Sequence, residues 1–113
     1  MNQQTIGIYS GRDDLVRRVR ETCPSCDVAS ADDRDACRVV VIDADSHALL
    51  ESPPRKSLVR VVLCNGAIPP TRRRGEIRVE RGAFLAAPGE YLDFAHYLVE
   101  TAVHATALEQ EGT

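Results

Sequence analysis

Residues 38–43 read RVVVID and residues 58–64 read LVRVVLC, and these two runs restrict the fold more than any other feature of the chain. Positions 39–42 are four β-branched side chains in succession, a composition that suits extended backbone. Strands that see solvent on one side alternate apolar with polar residues. A run that is apolar at every position predicts a strand covered on both faces, the habit of parallel sheets flanked by helices. In such open sheets, chemistry gathers beyond the carboxyl ends of the strands. Asp43, which ends the first run, stands at that position. Whether it is a working centre depends on the residues brought beside it.

Other elements fall around these two strands. TIGIYS (5–10) reads as a first strand and SGRDDLVRRVRETC as a helix, with Ser10 as its cap and Asp13 and Asp14 in the first turn, where the helix dipole favours acids. Leu15, Val16 and Val19 form its inward stripe, Arg17, Arg18 and Arg20 lie outside it, and Pro24 stops it. CDVASA (26–31) is a second strand, joined to the third by only about six residues, too few for an ordinary crossover helix. SHALLES offers one or two helical turns, and AIPPTRRRGEIRVERG is ambiguous: Pro70 could open a helix, whereas Gly75 and the alternation EIRVER oppose one. AFLAA (83–87) is expected as the fifth strand. GEYLDFAHYLVETAVHATALEQ is a long helix whose face of Leu92, Ala95, Val99, Ala102 and Val103 lies on the sheet. Strands alternating with helices predict an α/β, doubly wound parallel sheet with its second crossover helix reduced or missing.

At 113 residues the chain suits one domain. Its net charge of −3 argues against nucleic acid or an anionic membrane as the partner of the whole domain. No run reaches the roughly 18–20 apolar residues of a membrane span, and MNQQT lacks the start of a secretion signal. A cytoplasmic location is expected, with Cys23, Cys26, Cys37 and Cys64 as free thiols. Charge is uneven. Eight basic residues against two acids lie between Arg55 and Arg81, whereas Gly82 onward holds five acids and no lysine or arginine.

The succession IGIYSGRDDLVRRV, VVVIDADS, VVLCNG and GAFLAAPGEYLDFAHYLVETA resembles the receiver domain of bacterial two-component response regulators. The likeness runs from Ile6 to about Ala105. It implies a flavodoxin/CheY-like five-stranded sheet of order 2-1-3-4-5, with residues 1–106 as an atypical receiver-like domain and 107–113 as a tail or the start of a connector helix. It makes Asp43 the phosphoacceptor equivalent. Phosphoryl transfer to a carboxylate needs a divalent cation and a lysine to neutralise the gathering charge. The family's acidic pair is here Ser10 and Gly11, its hydroxyl residue is Cys64 and its lysine is Ala87. Asp13 and Asp14 come a turn too late to replace the acids. The resemblance therefore implies a degenerate pocket, with Asp43 left without cationic company and nearly inert. No catalytic residue, metal ligand or cofactor is expected, and the chain is read as a non-enzyme.

The family's habit of pairing through its fourth helix, fifth strand and fifth helix implies a homodimer, or contact with another signalling protein. Its surface would carry Arg72, Arg73, Arg74, Arg78, Glu90, Tyr91, Asp93, Phe94, Tyr97 and Leu98. A surface of both signs is self-complementary in a two-fold dimer. Leu98, Ala102, Ala105 and Leu108 keep a narrow seam along the last helix. The expected function is a phosphorylation-independent interaction module, or pseudo-receiver. The alternatives are an atypical receiver still phosphorylated on Asp43, and a small thiol-redox protein using Cys23 and Cys26 of CPSC. The latter pair follows a helix, so it lacks the helix N-terminus that lowers thiol pKa in thioredoxin-like proteins.

Overall fold

Five parallel strands hydrogen-bond in the order β2-β1-β3-β4-β5, the arrangement expected of a doubly wound, flavodoxin-like sheet. A computed structural model of the chain describes residues 4–23, 26–30, 32–51, 56–66 and 75–111. The strands are β1 (Gln4–Tyr9), β2 (Cys26–Val28), β3 (Val39–Ile42), β4 (Val59–Cys64) and β5 (Glu76–Glu80). The helices are α1 (Asp13–Thr22), α2 (Arg81–Ala86) and α3 (Pro88–Glu111), with 3-10 turns at Arg34–Ala36 and Ala44–Leu50. Among the described residues, no helix is long and apolar enough to cross a membrane.

The register explains the two continuous apolar runs. Val39 and Val41 of β3 pair with Val59 and Val61 of β4, and these side chains share one face with Ile6, Ile8, Leu63 and Val79. On that face pack Leu15 and Val19 of α1, Phe84 of α2, and Leu92, Ala95 and Val99 of α3. Each fully buried side chain of this size contributes roughly 1.5–3 kcal/mol of apolar burial. Val40 and Ile42 point the other way, into a smaller cluster with Tyr9 and Cys37. Leu15 and Val19 of the expected stripe are wholly buried, with Val16 packed at the margin.

The second crossover is indeed pared down. Its 3-10 turn of three residues lies so close to β1 that a Cβ on Gly7 would come within 2.8 Å of the Arg34 carbonyl oxygen. The guanidinium of Arg34 sits 4.4 Å from the centroid of the Tyr9 ring, and the Tyr9 hydroxyl donates to the Asp35 carboxylate. A cation, a ring and a short turn stand where a full helix would otherwise cover the sheet.

One expected element moves. The fifth strand is Glu76–Glu80, and the expected strand 83–87 is instead most of α2 and the residue that closes it. EIRVE alternates, with Ile77 and Val79 on the helical side and Glu76, Arg78 and Glu80 on the other, because an edge strand covered mainly on one face shows period two. AFLAA carries no β-branched residue and is good helical sequence. Gly75 introduces β5 at φ +80°, and a Cβ there would lie 2.3 Å from the Leu58 carbonyl oxygen. Its own carbonyl accepts the Arg60 N–H at 2.7 Å, so the strand is seated by a residue that only glycine fits. The ambiguous stretch around Pro70 lies outside the described residues.

Candidate functional site

Asp43 leaves β3 at the carboxyl edge of the sheet, tied down by its own N–H, which donates to the Tyr9 carbonyl at 2.9 Å. Its side chain is 2% exposed. Oδ1 accepts the Ala44 N–H at 2.8 Å and Arg81 Nε–H at 3.0 Å, and Oδ2 accepts the Ser10 hydroxyl at 2.6 Å. Burial alone would raise the pKa of this carboxyl group. The hydrogen bonds from Ser10, Arg81 and Ala44, with the charge of Arg81, outweigh burial and hold it below its ordinary value.

Arg81 is the residue that sequence reading missed. It is the first residue of α2, directly after β5. Its Nη2 reaches the two oxygens of Asp14 on α1 at 3.0 and 3.2 Å while Nε serves Asp43. Both carboxylates hold its pKa above the ordinary arginine value, against the opposing effect of its own burial. The expectation that Asp43 lacks cationic company is thus corrected. It followed from placing the fifth strand seven residues too late, at Ala83 instead of Glu76, which left Arg81 in front of the strand instead of at its carboxyl end. The signal was an arginine at the point where EIRVE alternation passes into helical sequence.

The other pocket residues divide. Ser10 and Gly11 form the β1–α1 loop as expected, but Ser10 is not the cap of α1. The cap position is Arg12, whose N–H donates to Ser10 Oγ at 3.1 Å while that hydroxyl gives its proton to Asp43. The Gly11 N–H donates to Asp45 Oδ2 at 2.9 Å, and a Cβ on Gly11 would stand 2.7 Å from the same oxygen. The loop therefore closes directly on the β3 end. Cys64 ends β4 and is buried, with its thiol directed back at the Val62 carbonyl. Ala87 closes α2 and so does not stand at the end of β5, where the resemblance put it. A polar cleft of about 180 Å³ remains beside the network, lined by Arg12, Asp43, Ala44, Asp45, Asn65 and Arg81. Among the described residues, no group of three or more His, Cys, Asp or Glu side chains could hold a metal ion.

Of the expected interface residues, Arg72, Arg73 and Arg74 lie outside the described residues. Arg78 is on β5, its Nε donating to the buried Glu76 carboxylate at 2.5 Å. Glu90, Asp93, Phe94 and Tyr97 are exposed along α3, the two rings at 51% and 62%. Tyr91 and Leu98 are half-buried against the core, and the Tyr91 ring stacks at a tilt on Phe84 with centroids 5.8 Å apart. Cys23 and Cys26 are both buried, at the end of α1 and the start of β2. Comparison with protein-family models, curated proteins and solved structures finds no match to this chain.

Proposed function

We propose that this chain is a phosphorylation-independent interaction module, a receiver-like domain whose acceptor carboxylate has been closed by its own side chains. The observation that carries the reading is the engagement of both Asp43 oxygens by donors of the chain itself. Both oxygens accept hydrogen bonds from within the chain, one of them from a guanidinium. A phosphoryl donor must bring several anionic oxygens to that carboxylate. Here the Arg81 guanidinium is already shared between two aspartates, and Oδ2 accepts the Ser10 hydroxyl. Breaking those contacts adds to the barrier, and the loss of a single electrostatic donor costs such reactions about a hundred- to a thousand-fold.

A closed centre leaves the surface as the working part. Phe94 and Tyr97 stand exposed between Glu90, Asp93 and Glu100 on α3, a composition suited to a partner with basic and apolar groups. The chain's own basic run, Arg72–Arg74, makes a second copy the partner of choice. Rim ion pairs of roughly 0–1 kcal/mol each would orient that contact, while the rings supply its apolar part.

Incubation with acetyl phosphate and Mg²⁺, read by intact mass, should leave Asp43 unmodified. A phosphoryl adduct on Asp43 would make the protein an atypical working receiver, with Arg81 in the lysine's role. Sedimentation across concentration and salt should show a dimer that weakens with salt and is lost on Phe94→Ser with Tyr97→Ser. A monomer at every concentration would refer the surface to a different partner.

A further inference from the structure

The edge opposite Asp43, where the strands begin, holds a cleft of about 560 Å³ that the reading above does not use. It is well above the 180 Å³ or so beside Asp43 and falls within the roughly 300–1,000 Å³ of small-molecule sites. Three elements wall it. Thr5 and Arg38 stand side by side at the amino ends of β1 and β3, because the register pairs Ile6 with Val39. The shortened crossover supplies Asp33 and Cys37, and α3 supplies His96, Val99 and Glu100. Val39, Val99 and Cys37 are buried and make the floor apolar. Burial, then the charge of Asp33, raises the Cys37 thiol above its ordinary pKa, and its Sγ is directed at the Asp33 carbonyl. The thiol therefore lines the floor as a neutral group.

Charge is divided between the walls. Arg38 brings an exposed guanidinium on the strand side, and no carboxylate of the described residues pairs with it. From α3 the exposed Glu100 carboxylate and the half-buried His96 ring face the same cleft, as residues four apart share one side of a helix. The Leu92 carbonyl is an acceptor, so His96 Nδ1–H is its donor at 2.8 Å, and Nε2 of the neutral ring is left to accept. Asp33 adds a second carboxylate, of which one oxygen accepts the Ser30 hydroxyl at 3.0 Å. A cation on one wall, acceptors on the wall across from it and an apolar floor between them match a small zwitterion with an apolar body.

We propose that this cleft binds a free α-amino acid with a large apolar side chain. Its carboxylate meets the Arg38 guanidinium, a pairing that planar donors favour. Its ammonium group donates to Glu100 and to His96 Nε2, and its side chain lies on Val99 and the Cys37 thiol. The ligand would join the starts of β1 and β3 to the middle of α3 across the shortened crossover. This inference is independent of the interaction reading.

The test titrates the full chain with L-leucine, L-methionine and L-phenylalanine, followed by calorimetry and by amide shifts of the labelled protein. At least one of the three should saturate a single site with a Kd of about 0.01–1 mM, moving the amides of Arg38, Val39 and the His96–Glu100 turn while those beside Asp43 stay still. Two analogues divide the charges: 4-methylpentanoate keeps leucine's carboxylate without its ammonium group, and leucinamide keeps the ammonium group without the carboxylate. Each should bind at least about fivefold more weakly than leucine, and Arg38→Gln and Glu100→Gln should each weaken the amino acid by a similar factor. Both of those side chains are exposed, so the variants should keep the parent's circular dichroism, and the shift map on the unaltered protein locates the site without them. No saturation by any of the three up to about 10 mM would overturn the proposal. So would equal affinity for either analogue, undiminished binding by both variants, or shifts centred on Asp43.

Discussion

Replacing Arg81 by alanine tests the account of the carboxyl edge most directly. The substitution removes the cation beside a carboxylate that is 2% exposed, from a guanidinium side chain that is itself 12% exposed. Orphaning one member of a buried ion pair costs roughly 3–5 kcal/mol. Asp43 would keep the Ser10 hydroxyl and the Ala44 N–H, and the adjoining cleft of about 180 Å³ would let water reach it, so the cost should fall toward the lower end. The Asp14 arm adds little, because that carboxylate is 58% exposed and exposed pairs contribute about 0–1 kcal/mol. The expected loss is about 2–4 kcal/mol at pH 7, read from urea unfolding followed by far-ultraviolet circular dichroism. The pH dependence supplies the sign. Asp43 has a lowered pKa in the folded protein, so its contribution is full above the unfolded value of about 3.9 and is lost as pH falls through the folded one. The gap between wild type and Arg81→Ala should therefore narrow on acidification. A double-mutant cycle with Asp43→Asn isolates the pair. A loss below about 1 kcal/mol, a gap unchanged between about pH 7 and 3, or a coupling within about 0.5 kcal/mol of zero would refute the reasoning.

Two further substitutions probe the scaffold. Gly75→Ala meets both a positive φ and the Leu58 carbonyl at 2.3 Å, so it should destabilise by about 2 kcal/mol or more and loosen β5, measured by amide exchange along Glu76–Glu80. Tyr9→Phe removes the hydroxyl that donates to Asp35 and should cost about 1 kcal/mol in urea unfolding. Burial, and then Asp35, push the Tyr9 phenol well above its ordinary range. Its stabilising effect is therefore present below the unfolded pKa of about 10 and lost as pH rises through the folded value. In an alkaline absorbance titration, Tyr9 should ionise only as the protein unfolds, and the late phase should vanish in Tyr9→Phe.

The central sheet was legible because β3 and β4 are covered on both faces, which leaves a continuous apolar run that neither a helix nor an edge strand would show. The short β2–β3 connection predicted the reduced crossover by chain length alone. The edge strand was harder: β5 is EIRVE, half charged, and the apolar run after it looks more like a strand than it is. That one displacement hid Arg81, because a residue's place at a sheet edge depends on where its strand stops. Asp43, Ser10 and Gly11 lie just past β3 and β1 because those two strands were read correctly, although Ser10 does not cap α1. The partners of Tyr9 were illegible for another reason: Arg34 and Asp35 reach it from a 3-10 turn with no periodic signature.

Arg81 meets Asp43 across 38 positions of sequence and Asp14 across 67. Contacts that distant close large loops and come late in assembly. The guanidinium can make both contacts only once the first helix, the middle strand and the last strand have docked, so it ties β5 to the other half of the carboxyl edge. Loosening the edge strand would therefore free a charge at the carboxyl edge as well as a strand at its side.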